Sequence, residues 1–326
     1  RVGNESFDGC PIKTLSVPFL TSIGDAGFAR CPLVSAQLPS LTSIAKAGFS
    51  SCKSLKSFSA PKLQAIGQNC FSNCPLLASI NCNLEPDKFI CNEYYDNDCN
   101  GCPICHHDIE VCLQRGRSGE EEKNVEIDQQ MLEKVLKKHN VGITVQQALE
   151  AKEGEIINEC LILKEEHYEA KAFKKRDNFK SVLALRLRHV SQFMFDGTKN
   201  LTTAIMLEAV RVMKFGFYET GLQNCFFPKL VVIGFAAFRN SQIKQLGSEN
   251  LPVIKLIGDN GFQDCPIGKV NLPSLQSINE RGFCSCDHLK QFLAEKLIRI
   301  GKGCFAGCPV LNSVGCNLTL KKFIAS

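Results

Sequence analysis

A sequence word of about 21 residues recurs along the chain, and it constrains the fold more than any other feature. Its centre is a phenylalanine that a cysteine follows three residues later, first seen as Phe7 and Cys10. The word returns in phase with Phe28, Phe49 and Phe71, and with Cys31, Cys52 and Cys74. Self-similarity at a fixed period of this length is the signature of a solenoid of stacked coils. We therefore expect residues 1–90 to form a first repeat array.

Alternating side chains in each word predict a short strand per coil. In the third coil, Leu55, Phe58 and Ala60 face inward, Ser57 and Ser59 alternate with them, and proline follows at position 61, where it ends the strand. Stacked coils place such strands about 4.8 Å apart in one parallel sheet. The outward side chains predicted for this array are small, polar and uncharged: Thr14, Ser16, Ser35, Gln37, Ser57, Ser59, Ser79 and Asn81.

A second array, residues 155–326, repeats the same phenylalanine. The in-phase positions are Phe173, Phe195, Phe217, Phe238, Phe262, Phe283 and Phe305. Arg176, Thr198, Thr220 and Ser241 replace the cysteine, which returns at positions 265, 286 and 308. Because threonine and serine can take its place, we expect the cysteine to pack as a small buried side chain. Disulfide or metal chemistry along the ladder is the alternative.

Two recurring words carry a resemblance to a known family. Leu-x-x-Ile-Gly-x-x-x-Phe-x-x-Cys, found at 63–74, and Leu-Pro-x-Leu, found at 38–41, resemble the leucine-rich repeats of BspA-like proteins. That family occurs in bacterial surface proteins and in some protozoan parasites. The resemblance implies a β-rich leucine-rich repeat solenoid that binds proteins or attaches cells to surfaces without catalysis. It also favours a cell-surface or secreted location, with a cytoplasmic one as the alternative.

Residues 91–124 interrupt the repeats with a Cys/His-rich segment and a charged linker. Its doubled C-x-x-C, with the histidines and cysteine that follow, has residue types that bind zinc tetrahedrally. The candidate ligands are Cys99, Cys102, Cys105, His107 and Cys112. Disulfides and free thiols are the alternatives, and the odd total of nineteen cysteines precludes complete pairing within one chain. Residues 115–123 contain no apolar side chain, which predicts a solvated linker.

Residues 125–154 predict a short helical cap for the second array. Asp128 can cap a first helix, which we expect to end at Gly142 and whose Met131, Leu132, Val135 and Leu136 share one face. Thr144 and Gln147 form a capping-box pattern for a second helix. Two amphipathic helices can cover the exposed first coil of a solenoid. A helix pair that binds a partner is the alternative.

Outward apolar side chains in the second array suggest a partner-binding site. The strand alternation places Leu183, Ile205 and Phe226 as neighbours on three successive coils, with Thr203, Asn224 and Leu293 on the same side. Exposed apolar rows with polar rims are typical of partner sites. A one-residue slip in strand register is the alternative, and it would bury all three apolar residues in the core.

The remaining features narrow the function classes. Net charge is only +5 and no basic block occurs, so we expect no nucleic-acid partner. No run of apolar residues is long enough to cross a membrane. We find no phosphate loop, nucleophile elbow or paired carboxylates, so we expect no enzyme. The leading interpretation is a non-catalytic protein-binding or adhesion module. The alternative is an intracellular scaffold with a structural zinc clip between its arrays.

The opening residues, Val2–Phe7, resemble the end of a repeat that is already under way, as at 66–71. We therefore expect the chain to be a fragment, in which the absence of a signal peptide says nothing about localisation.

Overall fold

The computed structural model describes residues 1–85, 88–89, 109–118 and 127–316. The chain divides into two compact units, Arg1–Val125 and Glu126–Ser326. Each unit is a solenoid in which strands of successive coils pair in parallel. The predicted β-rich solenoid of two repeat arrays is therefore confirmed. No helix within the described ranges has the length and apolar character needed to span a bilayer.

The first three coils of the first unit each give one strand to a front sheet and one to a back sheet, and the fourth gives a front strand. The front strands are, in spatial order, β1 (Thr14–Ser16), β3 (Ser35–Gln37), β5 (Ser57–Ser59) and β7 (Ser79–Asn81). The back strands are β2 (Ser22–Ile23), β4 (Ser43–Ile44) and β6 (Ala65–Ile66). The central residue of each front strand is buried and its two neighbours are not, which confirms the predicted alternation.

The second unit has a longer back sheet and a divided front sheet. Its first front sheet contains β8 (Ile156–Ile157), β9 (Cys160–Leu163), β10 (Ser181–Ala184), β12 (Thr203–Met206) and β14 (Asn224–Phe226). Its second front sheet contains β16 (Gln245–Gly247), β18 (Lys269–Asn271), β20 (Gln291–Ala294) and β22 (Ser313–Cys316). The back strands are β11 (His189–Val190), β13 (Arg211–Val212), β15 (Val232–Ile233), β17 (Leu256–Ile257), β19 (Ser277–Ile278) and β21 (Arg299–Ile300).

A column of stacked phenylalanines runs through the core of each unit. In the first unit, the ring of Phe49 stacks on Phe28 at 5.6 Å and on Phe71 at 5.7 Å between centroids. In the second unit, successive rings from Phe173 to Phe305 stack at 5.0–6.0 Å. Each ring therefore fills its own coil and also contacts the coils before and after it.

The ladder cysteines donate hydrogen bonds between coils. The Cys52 thiol lies 3.2 Å from the carbonyl oxygen of Phe28, one coil earlier. Thr198, at the same position of the second unit, donates to the Phe173 carbonyl, also at 3.2 Å. Burial raises the pKa of Cys52 to about 12, so its thiol keeps the proton that it donates. Equivalent contacts are made by Cys31, Cys74, Cys265, Cys286 and Cys308.

The packing role predicted for these cysteines is confirmed, since the cysteines of the described residues are free and most are buried. The hydrogen bond was not predicted, and Thr198 shows that threonine can make it in place of cysteine. Cysteine, threonine and serine are all small side chains that carry a donor, but Thr220 donates to the Phe217 carbonyl of its own coil and Arg176 is a long side chain.

A helix closes the far end of the first unit. Helix α1 (Ile109–Ser118) lies along β7, the last strand of the front sheet, and buries Ile109 and Leu113 in the core of that unit. Gly116 permits the close approach, because a Cβ there would lie 2.2 Å from the carbonyl carbon of Ile80. The helix therefore occupies the edge where the strand of a further coil would pair.

Helix α1 also corrects a prediction from the sequence. Residues 115–123 were predicted to be a solvated linker, but Arg117 lies in the helix and binds the end of the first array. Its guanidinium donates to the carbonyl oxygens of Cys82 at 3.1 Å and Leu84 at 2.8 Å. The linker prediction is thus wrong for residues 115–118. The rest of that segment lies outside the described residues.

Two further helices precede the second array, as predicted. In α2 (Gln129–Lys138), the Asp128 carboxylate accepts from the Met131 amide at 3.0 Å. In α3 (Val145–Glu150), both hydrogen bonds of the predicted capping box between Thr144 and Gln147 are present. The first of these helices ends four residues before Gly142, because Asn140 already adopts a left-handed conformation with φ of 52°.

The hydrogen bond of Cys52 predicts how that position tolerates substitution. Cys52→Thr keeps a donor toward the Phe28 carbonyl, as Thr198 does naturally, whereas the isosteric Cys52→Val removes it. We expect the valine variant to be less stable than the threonine variant by about 1–2 kcal/mol, because it leaves a buried carbonyl without this partner. Urea unfolding of the two variants measures the difference. Equal stabilities would show that volume alone matters at this position.

Candidate functional site

The strand register of the predicted partner site is correct. Leu183 pairs with Ile205 and Ile205 with Phe226 across β10, β12 and β14. Val182 and Ala184 belong to the core of the solenoid, whereas Leu183 and Ile205 belong to a separate cluster. The alternative of a one-residue register slip is therefore wrong. These side chains face away from the solenoid core, as the alternation predicted.

The prediction that Leu183 and Ile205 are exposed is nevertheless wrong. Both side chains are 0% exposed, because α2 and α3 of the same chain lie over them. The covering residues are those that the helical pattern placed on one face: Leu132, Val135, Leu136 and Ala148. We call residues 127–151 the helical cover. The outer apolar row of the second unit thus already has a partner within its own chain.

The cover lies on a different surface from the one predicted for a cap. We expected it over the open first coil, but it packs over the outward side of β9, β10 and β12. The edge of the first coil is instead covered by β8, which pairs antiparallel with β9. A polar contact also holds the cover in place, since Lys164 Nζ donates to the Leu149 carbonyl at 2.5 Å.

The other predicted site residues do not form one surface. Thr203 is buried, Phe226 is half-buried against the cover, and Asn224 is exposed. Leu293 belongs to the second front sheet, where it is half-buried beside Gly315 of the neighbouring strand. The structure therefore brings Leu183, Ile205 and Phe226 together, buries the first two, and separates Leu293 from them.

Only one of the five predicted metal ligands lies among the described residues. Cys112 is buried in the core of the first unit, where its thiol lies 3.4 Å from the Leu77 carbonyl oxygen. Cys99, Cys102, Cys105 and His107 lie outside the described residues. Elsewhere in the described part of the chain, no three histidine, cysteine or acidic side chains converge as a metal site would require. A zinc site at the other four residues stays a prediction.

The front sheet of the first unit presents two polar rows. One row aligns Thr14, Ser35, Ser57 and Ser79 in register, and the other aligns Ser16, Gln37, Ser59 and Asn81. All eight side chains are exposed or half-buried, as the sequence predicted. We call this surface the polar front. Within it, Asn81 Nδ2 donates to Ser59 Oγ at 3.2 Å, and no charged side chain belongs to either row.

The second front sheet of the second unit is also accessible. Gln245 and Lys269 are exposed on adjacent strands, and Gln291 is half-buried beside them. This surface contains a lysine and lies in a unit whose first front sheet is covered. The polar front is the candidate without a charged side chain, and it includes every front strand of its unit.

Because the cover buries Leu183 and Ile205, we expect that shortening either side chain will strongly lower the free energy of unfolding. We expect Leu183→Ala and Ile205→Ala each to cost about 2–5 kcal/mol, as for other buried aliphatic side chains. Val253→Ala is the matched control, because Val253 is 40% exposed in the same unit and should change stability by no more than about 0.5 kcal/mol. Urea unfolding gives the values. A loss below about 0.5 kcal/mol at Leu183 would contradict burial under the cover.

Solved structures of bacterial proteins resemble the chain at low identity. A leucine rich cell surface protein from Faecalibacterium prausnitzii is 18% identical, with 99% of this chain and 65% of that chain covered and a TM-score of 0.27. A leucine-rich repeat protein from Bacteroides ovatus is also 18% identical, with 96% and 69% covered and a TM-score of 0.30. This chain spans slightly less than two thirds of the Faecalibacterium protein. A search of curated proteins found no match.

The sequence repeats assign the chain to a protein family. A scan against protein families matched the BspA type leucine-rich repeat region, in six copies, at residues 1–100, 166–251 and 210–325. These ranges include both phenylalanine columns and both sets of parallel front strands, and they cover well over half of the chain. The chain belongs to the BspA-type leucine-rich repeat family.

Proposed function

We propose that the chain is a non-catalytic protein-interaction module that binds its partner through the polar front. The observation that carries this proposal is the in-register alignment of eight uncharged polar side chains on four parallel strands. Side chains held on such a sheet are fixed relative to one another, so a partner that binds them need not order a flexible loop. An adhesion role and a cell-surface or secreted location are parts of the same proposal.

The chemistry of the polar front fits a polar partner surface. Hydroxyl groups donate and accept hydrogen bonds, and Gln37 and Asn81 add amide groups with both functions. With no charge in either row, binding would depend on hydrogen bonds and shape, and it would respond weakly to salt. These are properties of a specific docking surface between proteins.

The described thiols support a role without catalysis. Nucleophilic cysteines are thiolates with depressed pKa values, whereas burial raises the pKa of Cys70, Cys160 and Cys304 to about 12. These thiols are protonated at neutral pH and are enclosed by the solenoid. Their burial also protects them from oxidation at a cell surface.

Substitution of the polar front tests the proposal. Ser35→Arg with Ser57→Arg places two long cationic side chains on adjacent front strands, where they would obstruct docking. Beads coated with this variant should adhere to epithelial cell layers at least about tenfold less than beads with the parent chain. The melting temperature should stay the same, because surface substitutions change stability little.

The matched control is Ser40→Arg with Ser54→Arg, which makes the same chemical change in the same unit outside the front strands. It should adhere like the parent. The proposal fails if the parent chain does not adhere, if the front variant adheres equally well, or if both variants lose adhesion equally.

A structural zinc clip remains a second proposal, for Cys99, Cys102, Cys105 and His107. One observation favours it: both flanks of the segment are anchored in the same core. Phe89 stacks on Phe71 at 6.5 Å, and Ile109 is buried in the same cluster. A metal that closes a loop between two fixed ends stabilises it by restricting the unfolded chain.

The metal content of the purified protein distinguishes a zinc site from disulfides or free thiols at these residues. We expect the intact chain to contain about one zinc ion and Cys102→Ser with Cys105→Ser to contain none, by elemental analysis of the purified protein. Cys112→Ser should keep the zinc but lower stability, because that thiol lies in the core. The proposal fails if the parent chain contains no zinc after it has been purified in buffers that contain zinc.

A further inference from the structure

Three phenylalanines form a row outside the core of the second unit. Phe193 and Phe215 stack with 4.9 Å between ring centroids, and Phe235 packs edge-on against Phe215 at 5.3 Å. They lie on successive coils and are distinct from the core rings Phe195, Phe217 and Phe238. Phe235 is 41% exposed, and the other two are half-buried. We call these three residues the aromatic ridge.

The backbone at two of these positions disfavours a bulky residue. Phe193 and Phe215 adopt left-handed conformations with φ of 55° and 57°. The turn repeats in other coils, where the same position is occupied by Glu5, Ala26, Ala47, Asn69, Lys171, Ala236, Asn260, Arg281 and Gly303. A phenylalanine at such a backbone angle is strained. Since the rings add nothing to the core, packing of the solenoid does not explain their presence.

Lysines surround the ridge and make it electropositive. The Lys174 ammonium lies 5.2 Å from the centroid of Phe193, and Lys171 lies 5.9 Å from it. Lys214 lies over both Phe215 and Phe235, at 5.6 and 5.5 Å. The ammonium groups occupy the electron-rich ring faces, so the ring edges, which carry partial positive charge, remain for a partner.

The charge of the surrounding sequence has the same sign. Residues 164–240, which include the ridge, contain thirteen lysines and arginines against seven aspartates and glutamates. Asp196 pairs with Lys174 at 2.6 Å and reduces the positive charge locally. Lys171 lies over the Phe193 end of the stacked pair, and Lys214 lies over the Phe215 end. The ridge therefore combines apolar surface with separated cationic groups.

We propose that the aromatic ridge binds an acidic segment of a partner protein, in which carboxylates alternate with apolar side chains. Carboxylates would pair with the ammonium groups, and the apolar side chains would pack against the rings. Aromatic side chains are enriched at protein interfaces, and charge complementarity accelerates association and selects the partner. Single-stranded nucleic acid fits less well, because it stacks its bases on ring faces and these faces are already occupied.

The inference goes beyond the polar front, since it concerns a different unit and a partner of different chemistry. Either surface can fail its test while the other passes. The first unit provides an internal comparison, because its equivalent turn residues are Glu5, Ala26, Ala47 and Asn69 and include no aromatic ring.

A labelled peptide in which glutamate alternates with leucine tests the inference on the intact chain. We expect saturable binding by fluorescence anisotropy, which weakens as salt is raised and is absent for the same peptide with glutamine in place of glutamate. Phe193→Ala with Phe215→Ala should lower affinity at least about tenfold. Alanine suits the turn, as at Ala26 and Ala47, so this variant should stay folded.

Matched controls separate the ridge from nonspecific effects. Phe19→Ala removes a phenylalanine that is 87% exposed in the first unit and should not change affinity. Lys171→Gln with Lys214→Gln should weaken binding several-fold, whereas Lys13→Gln with Lys62→Gln should have no effect. The lysine variants retain both rings, so they test the surface even if the alanine variant unfolds.

Three outcomes would overturn the inference. The first is that the glutamate peptide does not bind. The second is that ridge and control variants bind it equally well. The third is that the ridge variants lose binding to phosphatidylserine vesicles, heparin or an oligonucleotide while their affinity for the peptide is unchanged.

Discussion

The stacking of one coil on the next is the interaction on which the whole structure depends. A single coil has two to four strand residues in each sheet and one phenylalanine of the stacked column, which is too little to bury a core of its own. Stacking gives Phe49 a ring on either side and gives each strand inside a sheet a neighbour on both edges. Such aromatic pairs add about 0.5–1.5 kcal/mol beyond the burial of their surface. Stability therefore resides between coils, and it accumulates along the array.

Stability between coils makes the array ends a separate structural problem. A terminal strand has unpaired backbone groups along one edge, and its phenylalanine has no ring beyond it. The two units solve the problem by different means. At β7, helix α1 covers the edge, and Arg117 binds two carbonyl oxygens that follow the strand. At β9, the antiparallel strand β8 supplies the missing pairing directly.

The sequence was sufficient to predict features that repeat or that depend on neighbouring residues. The period predicted the solenoid, the alternation predicted which side Leu183 faces, and the Thr144–Gln147 pattern predicted a capping box. Features that depend on contacts between distant residues could not be predicted in this way. The hydrogen bond of Cys52 requires the position of a carbonyl in another coil. Helix α1 was missed because glycine and charged residues at 115–118 are also typical of a linker.

The row formed by Leu183, Ile205 and Phe226 shows which structural feature the sequence period does not determine. Alternation determines the side of the sheet on which a residue lies, but not whether another element covers that side. Burial of Leu183 or Ile205 contributes about 1.5–3 kcal/mol, so an outward aliphatic row attracts any apolar helix that the chain can bring to it. The amphipathic helices just before the array meet this condition, and the cover is the result. The polar front has no outward aliphatic row that would attract such a helix. Its exposure therefore follows from the same physical argument, and the first unit retains the surface that the second unit covers with its own chain.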